Sequence, residues 1–249
     1  MIPKKIHYCW LGGKPLPPLA EKCIASWKKH CPDYEIIQWN ESNYDFKKQT
    51  YMREAFEEKK WGFVPDYARL DIIWQHGGIY LDTDVEIIKS FDPLLLHKCF
   101  FGLESDMIVA LGLGFGAEAG HPILKEMMDD YENYHFKNSD GSLNLLPSPQ
   151  IQTPVFQKHG LQSNHNQIQT LDQGIHIYPP NYFAPKNEAG LPQTLPESYS
   201  VHHYMGSWRP MSIRLKTGIY KQLCILSPCL AMKIVSMKQF IVSHLIKTK

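Results

Sequence analysis

The sequence predicts an α/β fold, a Rossmann-like sheet flanked by helices, and three features carry that prediction. Residues 5–10 (KIHYCW), an apolar-striped segment over 18–30 and residues 34–39 (YEIIQW) set out a β–α–β order. Residues 62–88 (GFVPDYARLDIIWQHGGIYLDTDVEII) read as a helix, a glycine break and a buried strand that ends in two aspartates. Short apolar segments separated by turns follow, at 99–103, 107–111, 114–117, 174–178 and 200–205. No Gly-x-Gly-x-x-Gly turn marks the first strand–helix junction, which argues against a dinucleotide-dependent oxidoreductase.

Composition sets the frame. With 249 residues, 43% hydrophobic and 20% charged, the chain is expected to order around a sizeable core. No basic start runs into an apolar stretch, and no run reaches the ~18 apolar residues of a membrane span. Neither a leader nor a spanning helix is therefore expected. The cysteines, at 9, 23, 31, 99, 224 and 229, lack a zinc spacing and are too sparse for a disulfide scaffold, so reduced cytoplasmic thiols are expected. The net charge of +1 conceals an asymmetry: residues 209–249 hold eight Lys/Arg and no acid, +8, which leaves −7 for residues 1–208. A duplex-binding protein carries its positive field on the folded domain, so no nucleic-acid partner is expected.

Each element has a local reason. The first strand opens into Gly12-Gly13 and Pro15, Pro17 and Pro18, a loop at the sheet edge where ligands collect. Trp10, at the end of that strand, is either a core indole or a flat platform for a nucleotide base, a contact worth ~1–3 kcal/mol. The helix over 18–30 presents Leu19, Cys23 and Trp27. Asn40-Glu41-Ser42-Asn43 is a turn or cap, and 43–61 reads as a polar surface helix or a pair of turns. In the central helix Leu70, Ile73, Trp74 and Gly77 keep the spacing of a packed face. Pro65 suits the first helical position there, and Gly77-Gly78 stops the helix. Gly112, Gly114 and Gly116 alternate with apolar residues, which suggests close backbone approach to a neighbour or ligand, or bulges. Pro122 opens an amphipathic helix through Tyr134. Residues 135–172 read as a long functional loop with a short helix near 154–159. Residues 179–185 (PPNYFAP) form a proline-aromatic loop, and 200–205 (SVHHYM) is the last strand.

The chemistry gathers at Asp82 and Asp84. In an extended segment both carboxylates point to one side, and two carboxylates held close become comfortable around a divalent cation. A D-x-D triplet alone is more often a solvated turn. This one sits where an α/β strand leaves the apolar layer, the place where such sheets bind ligands. Asp66 and Arg69, three apart on the preceding helix, share a face and couple to one another or to a ligand. His202 and His203 point to opposite faces of a strand, so one of them faces the cleft, where a neutral imidazole suits a metal already held by aspartate.

Taken in order, IPKKIHYCWLGG, the segment from Asp66 and Arg69 through GGIYLDTD, and HHYMGSW resemble the family-32 retaining, DXD-containing glycosyltransferases. That family includes bacterial capsular-polysaccharide and lipopolysaccharide sugar transferases and yeast α-1,6-mannosyltransferases; the glucosylating domains of large clostridial toxins are similar at a greater distance. The resemblance covers residues 1–208 and implies a GT-A fold, a mixed sheet binding a nucleotide sugar at its strand ends. It implies that Trp10 stacks on the base and that Asp66 and Arg69 hold the ribose or donor sugar and the phosphate side. Tyr80 would lie near the donor, and Asp82 would contact ribose or metal-bound water. Asp84 would ligate Mn²⁺ or Mg²⁺, with His203 or His202 completing the shell, and Ser207 and Trp208 would lie by the diphosphate. UDP-sugar is the favoured donor, with GDP-sugar possible, and the acceptor is a glycan or lipid-linked oligosaccharide. Two other readings use the same residues: a metal-dependent phosphohydrolase or nucleotidyltransferase, and a non-catalytic protein of the membrane surface.

Residues 209–249 interleave their basic side chains with an apolar stripe, and Pro210 and Pro228 divide them into two amphipathic helices. Such a tail lies on an anionic membrane or packs its stripe on the domain or a second subunit. The first option places the protein peripherally on the cytoplasmic face of an inner membrane.

Overall fold

The computed structural model describes residues 1–163, 166–187 and 190–206, together with positions 215, 216, 218, 219 and 222. The chain runs β1 (Lys5–Cys9), α1 (Pro18–His30), β2 (Glu35–Trp39), α2 (Thr50–Glu57), α3 (Pro65–His76), β3 (Gly78–Tyr80) and β4 (Val85–Ile87). It continues through β5 (Cys99–Ser105), β6 (Ile108–Val109), β7 (Phe115–Ala117), α4 (Pro122–Asp130) and α5 (Ser148–Lys158). It closes with β8 (Gln169–Leu171), β9 (Ile175–Tyr178), α6 (Pro180–Phe183) and β10 (Ser200–His202). One mixed sheet has the order β2-β1-β3-β7-β5-β9-β8, with β6 on β5, while β4 and β10 form a separate ribbon. β1 is parallel to β2 and β3, and β5 to β9, whereas β7 is antiparallel to both β3 and β5. This is the α/β architecture the sequence predicts.

Alternation along the strands sorts side chains into two cores, one on each face of the sheet. Ile79 and Leu81 belong to one core with Trp27 of α1, and Tyr80 belongs to the other with α3. β5 repeats the pattern, with Cys99, Phe101 and Leu103 on the α3 side and Phe100 on the α1 side. Trp27 is wholly buried and its indole N–H donates to the Val85 carbonyl (2.7 Å), which fastens α1 to β4.

α1 and α3 have the predicted bounds, and the signals for α3 are visible in its geometry. Pro65 occupies its first turn, and Gly77 ends it with φ 61° and an N–H bond to the Ile73 carbonyl (2.8 Å). A Cβ on Gly77 would come within 2.9 Å of both Pro3 and the Ala119 backbone, so the glycine serves packing as well as conformation.

Other expectations need correction. The polar stretch 43–61 contains α2, whose Tyr51, Met52 and Ala55 are buried, so it is not merely surface. The helix expected near 154–159 begins earlier, at Ser148, and carries Pro154 in its interior. The helix after Pro122 gives way at Tyr131 to a 3-10 turn. Cys9, Cys23, Cys31 and Cys99 are free and buried; Cys224 and Cys229 lie outside the described residues. So does most of the expected tail, of which the few described positions are helical. No helix among the described residues is long and apolar enough to cross a membrane.

His7 gives the fold a pH dependence. It is fully buried on β1, its Nε2 donates to the Gly77 carbonyl (3.0 Å), and its Nδ1 accepts from Trp39 Nε1–H (3.1 Å). Those two bonds select the neutral tautomer, and burial lowers the pKa to about 4. Between the ordinary value of 6.5 and about 4 the unfolded chain binds a proton that the folded chain refuses. This group's contribution is therefore intact above pH 6.5 and declines as the pH falls, by about 3 kcal/mol at pH 4. Urea unfolding at pH 7 and pH 4.5 measures the loss, and His7→Gln should flatten that slope; an equally steep slope in the variant refutes it.

Candidate metal and donor site

The site is built where α3, β3 and the β4–β10 ribbon meet. Asp82 and Asp84 follow β3, but the chain between them turns: the Val85 N–H donates to the Asp82 carbonyl (3.1 Å). The aspartates thus flank a turn and do not lie along an extended strand. Their carboxylates still converge, because β10 delivers His202 opposite Val85. Asp82, Asp84 and His202 each place one ligand atom within 4.8 Å of the others.

Hydrogen bonds to the closing segment fix Asp84. It accepts from the Met205 backbone N–H at 2.7 Å and faces His202 Nε2 across 3.2 Å. Burial pushes its carboxyl up, but His202 and the Met205 N–H outweigh burial and hold it at about 2. Asp82 moves the other way, raised by burial and by Asp84 against the pull of Arg69. Burial lowers His202, and the charge of Asp84 outweighs that and raises it. The Tyr204 backbone N–H donates to His202 Nδ1 (3.2 Å), which leaves the ring proton on Nε2, the nitrogen that faces Asp84; a cation held there would take the place of that proton. Oxygen and imidazole donors gathered around two mutually repelling carboxylates fit a divalent cation such as Mn²⁺ or Mg²⁺.

His203 does not join them. Its Nε2 meets Glu86 at 2.7 Å, and Lys22 meets the same Glu86 oxygen at 2.9 Å. The alternation of β10 therefore resolves the histidine doublet: His202 faces the acids, and His203 as a metal ligand is set aside.

Asp66 and Arg69 are both buried on α3. Arg69 Nη2 donates to Asp66 (2.8 Å), lies 3.7 Å from Asp82, and its Nε donates to the Pro65 carbonyl (3.0 Å). With 4% of its side chain exposed, Arg69 is bonded to the protein and braces Asp82 from behind. The guanidinium also lies 5.1 Å from the ring centre of Tyr80, which is itself buried. Trp10 is half-buried against the α1-side core, its indole N–H donating to the Lys14 carbonyl (2.6 Å), so the ring is pinned but not sealed. Ser207 and Trp208 lie outside the described residues.

Sequence reasoning did not foresee Glu86, the Met205 backbone or the β4–β10 pairing. The alternating Val85-Glu86-Ile87 was the available signal, since its central acid sits opposite Val201 and beside the histidines.

A mixed GT-A-type sheet with an acid-and-imidazole cluster at the end of a central strand defines a glycosyltransferase fold with a DXD-like sugar-binding region. Residues 17–101 match the family described as "Glycosyltransferase sugar-binding region containing DXD motif". Inositol phosphoceramide mannosyltransferase 3 of Schizosaccharomyces pombe is 30% identical over 147 residues, 54% of this chain; the chain spans only 40% of that relative's length. An uncharacterized glycosyltransferase of Acanthamoeba polyphaga mimivirus is 26% identical over 223 residues, covering 84% of this chain and 85% of the relative. Among solved structures, the PaToxG glycosyltransferase superposes with a TM-score of 0.50 at 21% identity, over 63% of this chain and 68% of its own. That likeness is one of fold.

Proposed function

We propose that the chain is a metal-dependent retaining glycosyltransferase. It moves a sugar from a uridine or guanosine diphosphate sugar to a hydroxyl of a glycan or lipid-linked oligosaccharide in surface-polysaccharide synthesis. The observation that carries the reading is the convergence of Asp82, Asp84 and His202 at the carboxyl end of β3. A lipid-linked acceptor is supported by the relative named for inositol phosphoceramide. The basic tail, 209–249, would hold the cleft at the cytoplasmic face of a membrane.

Breaking a sugar–phosphate bond develops negative charge on the departing diphosphate, and a divalent cation supplies the neutralising charge there. The protein's own residues bind and orient. Asp84, fixed by the Met205 N–H, would offer its carboxylate to the cation, His202 would offer Nε2 once the proton facing Asp84 has left it, and Arg69 braces Asp82. Trp10 would offer its pinned ring to the base and Tyr80 would lie near the donor, and Ser207 and Trp208 are assigned to the diphosphate by the family resemblance alone. Asp82 and Asp84 would hold the cation, and neither is assigned the part of nucleophile. The acceptor hydroxyl therefore attacks from the face the phosphate leaves, with the diphosphate oxygen taking its proton.

Turnover of UDP- and GDP-sugars by the purified protein, with Mn²⁺ or with a chelator, tests the reading. Turnover that ignores the chelator overturns the metal dependence, and phosphoester hydrolysis that needs no sugar acceptor overturns the reading in favour of the phosphohydrolase alternative. Trp10→Ala should weaken calorimetric binding of the nucleoside diphosphate with Mn²⁺ by ~1–3 kcal/mol. Unchanged affinity in a folded variant would return Trp10 to a packing role.

A further inference from the structure

Gly112 stands in the middle of a 3-10 turn, Leu111–Leu113, between β6 and β7. A Cβ built on it would overlap Asp82 Oδ2 and lie 3.3 Å from both Asp82 Cγ and Arg69 Nη1. Two reasons can require glycine, a left-handed backbone or a lack of room, and here they separate. Gly114, two residues on, has φ +115°, a backbone that calls for glycine, and a Cβ there would also come within 2.7 Å of Leu81. Gly112 has no such φ, so its turn is open to any L-residue. What the position excludes is a side chain, and what fills the space is the Asp82 carboxylate.

We infer that Gly112 is a positioning residue for the cluster of Asp82, Asp84 and His202. The inference rests on the metal-site reading above. Asp82 is the loosest member of the cluster: its side chain is 32% exposed, and its ion pair with Arg69 is long, at 3.7 Å. Burial and backbone hydrogen bonds hold Asp84; Asp82 has the Tyr80 hydroxyl and the long Arg69 pair, and Gly112 closes its remaining side. The bare Cα of Gly112 forms a wall against which the carboxylate stands, with Arg69 beside it. A methyl group there moves the wall inward and rotates the carboxylate away from Asp84 and His202. The backbone needs no change for this to happen, so the effect should depend on the presence of the Asp82 carboxylate.

The test is a double-mutant cycle read without turnover. In Gly112→Ala, Mn²⁺ affinity measured by calorimetry should fall about tenfold or more, as when a ligand's support is removed. Asp82→Ala vacates the space, so Asp82→Ala/Gly112→Ala should bind Mn²⁺ no more weakly than Asp82→Ala alone. The metal-free unfolding midpoint should follow the same pattern, with Gly112→Ala lowering it only when Asp82 is present. Wild-type Mn²⁺ affinity in Gly112→Ala overturns the inference, and so do two changes whose effects simply add. If Gly112→Ala does not fold, folding of the double variant supports the inference and its failure to fold refutes it. A wild-type protein that takes up no Mn²⁺ overturns the metal reading, and the metal-free midpoints then decide the Gly112–Asp82 contact alone.

Discussion

Asp84→Asn should reduce sugar transfer by about a hundredfold or more while leaving the protein folded. The amide keeps the shape of the carboxylate and can still accept from the Met205 N–H, so the closing segment stays docked. It cannot supply the charge that faces His202 at 3.2 Å or neutralise a cation. The stability profile should change as well. The carboxyl is held at about 2 against an ordinary 3.8, so its contribution is present above pH 4 and lost as the pH falls to 2. That contribution is about 2 kcal/mol, and Asp84→Asn should lack this acid limb. Donor turnover, together with thermal melts at pH 3 and pH 7, checks both parts. Near-wild-type turnover in the folded variant would remove Asp84 from the site. Asp82→Asn should also impair transfer, to a lesser degree.

Arg69→Met should cost more in stability than any surface change, about 3–5 kcal/mol. The guanidinium is the buried partner of Asp66, at 2.8 Å, and methionine leaves that carboxylate in the interior without a cation. Burial already pushes Asp66 up to about 6, against the pull of Arg69, and losing the pull drives it further toward the neutral acid. Adding Asp66→Asn should recover part of the loss, because the neutral amide needs no counter-charge. Chemical denaturation of the two single variants and the double variant measures the coupling. A loss under about 1 kcal/mol for Arg69→Met would show that Asp66 does not depend on Arg69 for its buried charge.

The parts of this fold that were legible in the sequence are those with local causes. Pro18 and Pro65 start their helices, Gly77 ends one, and alternation marks β1, β2 and β3, all within a few residues of the signal. The acidic pair was equally legible, because the glycine stop and the apolar strand place it at the sheet's edge. What was hidden depends on residues far apart in the chain. β4 and β10 are three-residue strands that exist only because they pair with each other. Without that pairing nothing distinguishes His202 from His203. Pro154 misplaced α5 for a different reason: proline is commonest at a helix start, and here it lies within the helix that Ser148 begins. The buried face of α2 escaped notice because only Tyr51, Met52 and Ala55 carry it among lysines and glutamates.

The β4–β10 ribbon also sets when the site comes into being. The bond from Met205 to Asp84 spans 121 positions, whereas β1, β2 and β3 assemble from the first third of the chain. Closing so long a loop is slow, and little rewards it until both short strands meet. As the chain is synthesised, the two aspartates emerge well before their histidine. Until the ribbon pairs, Asp82 has Arg69 beside it but Asp84 lacks the imidazole that faces it.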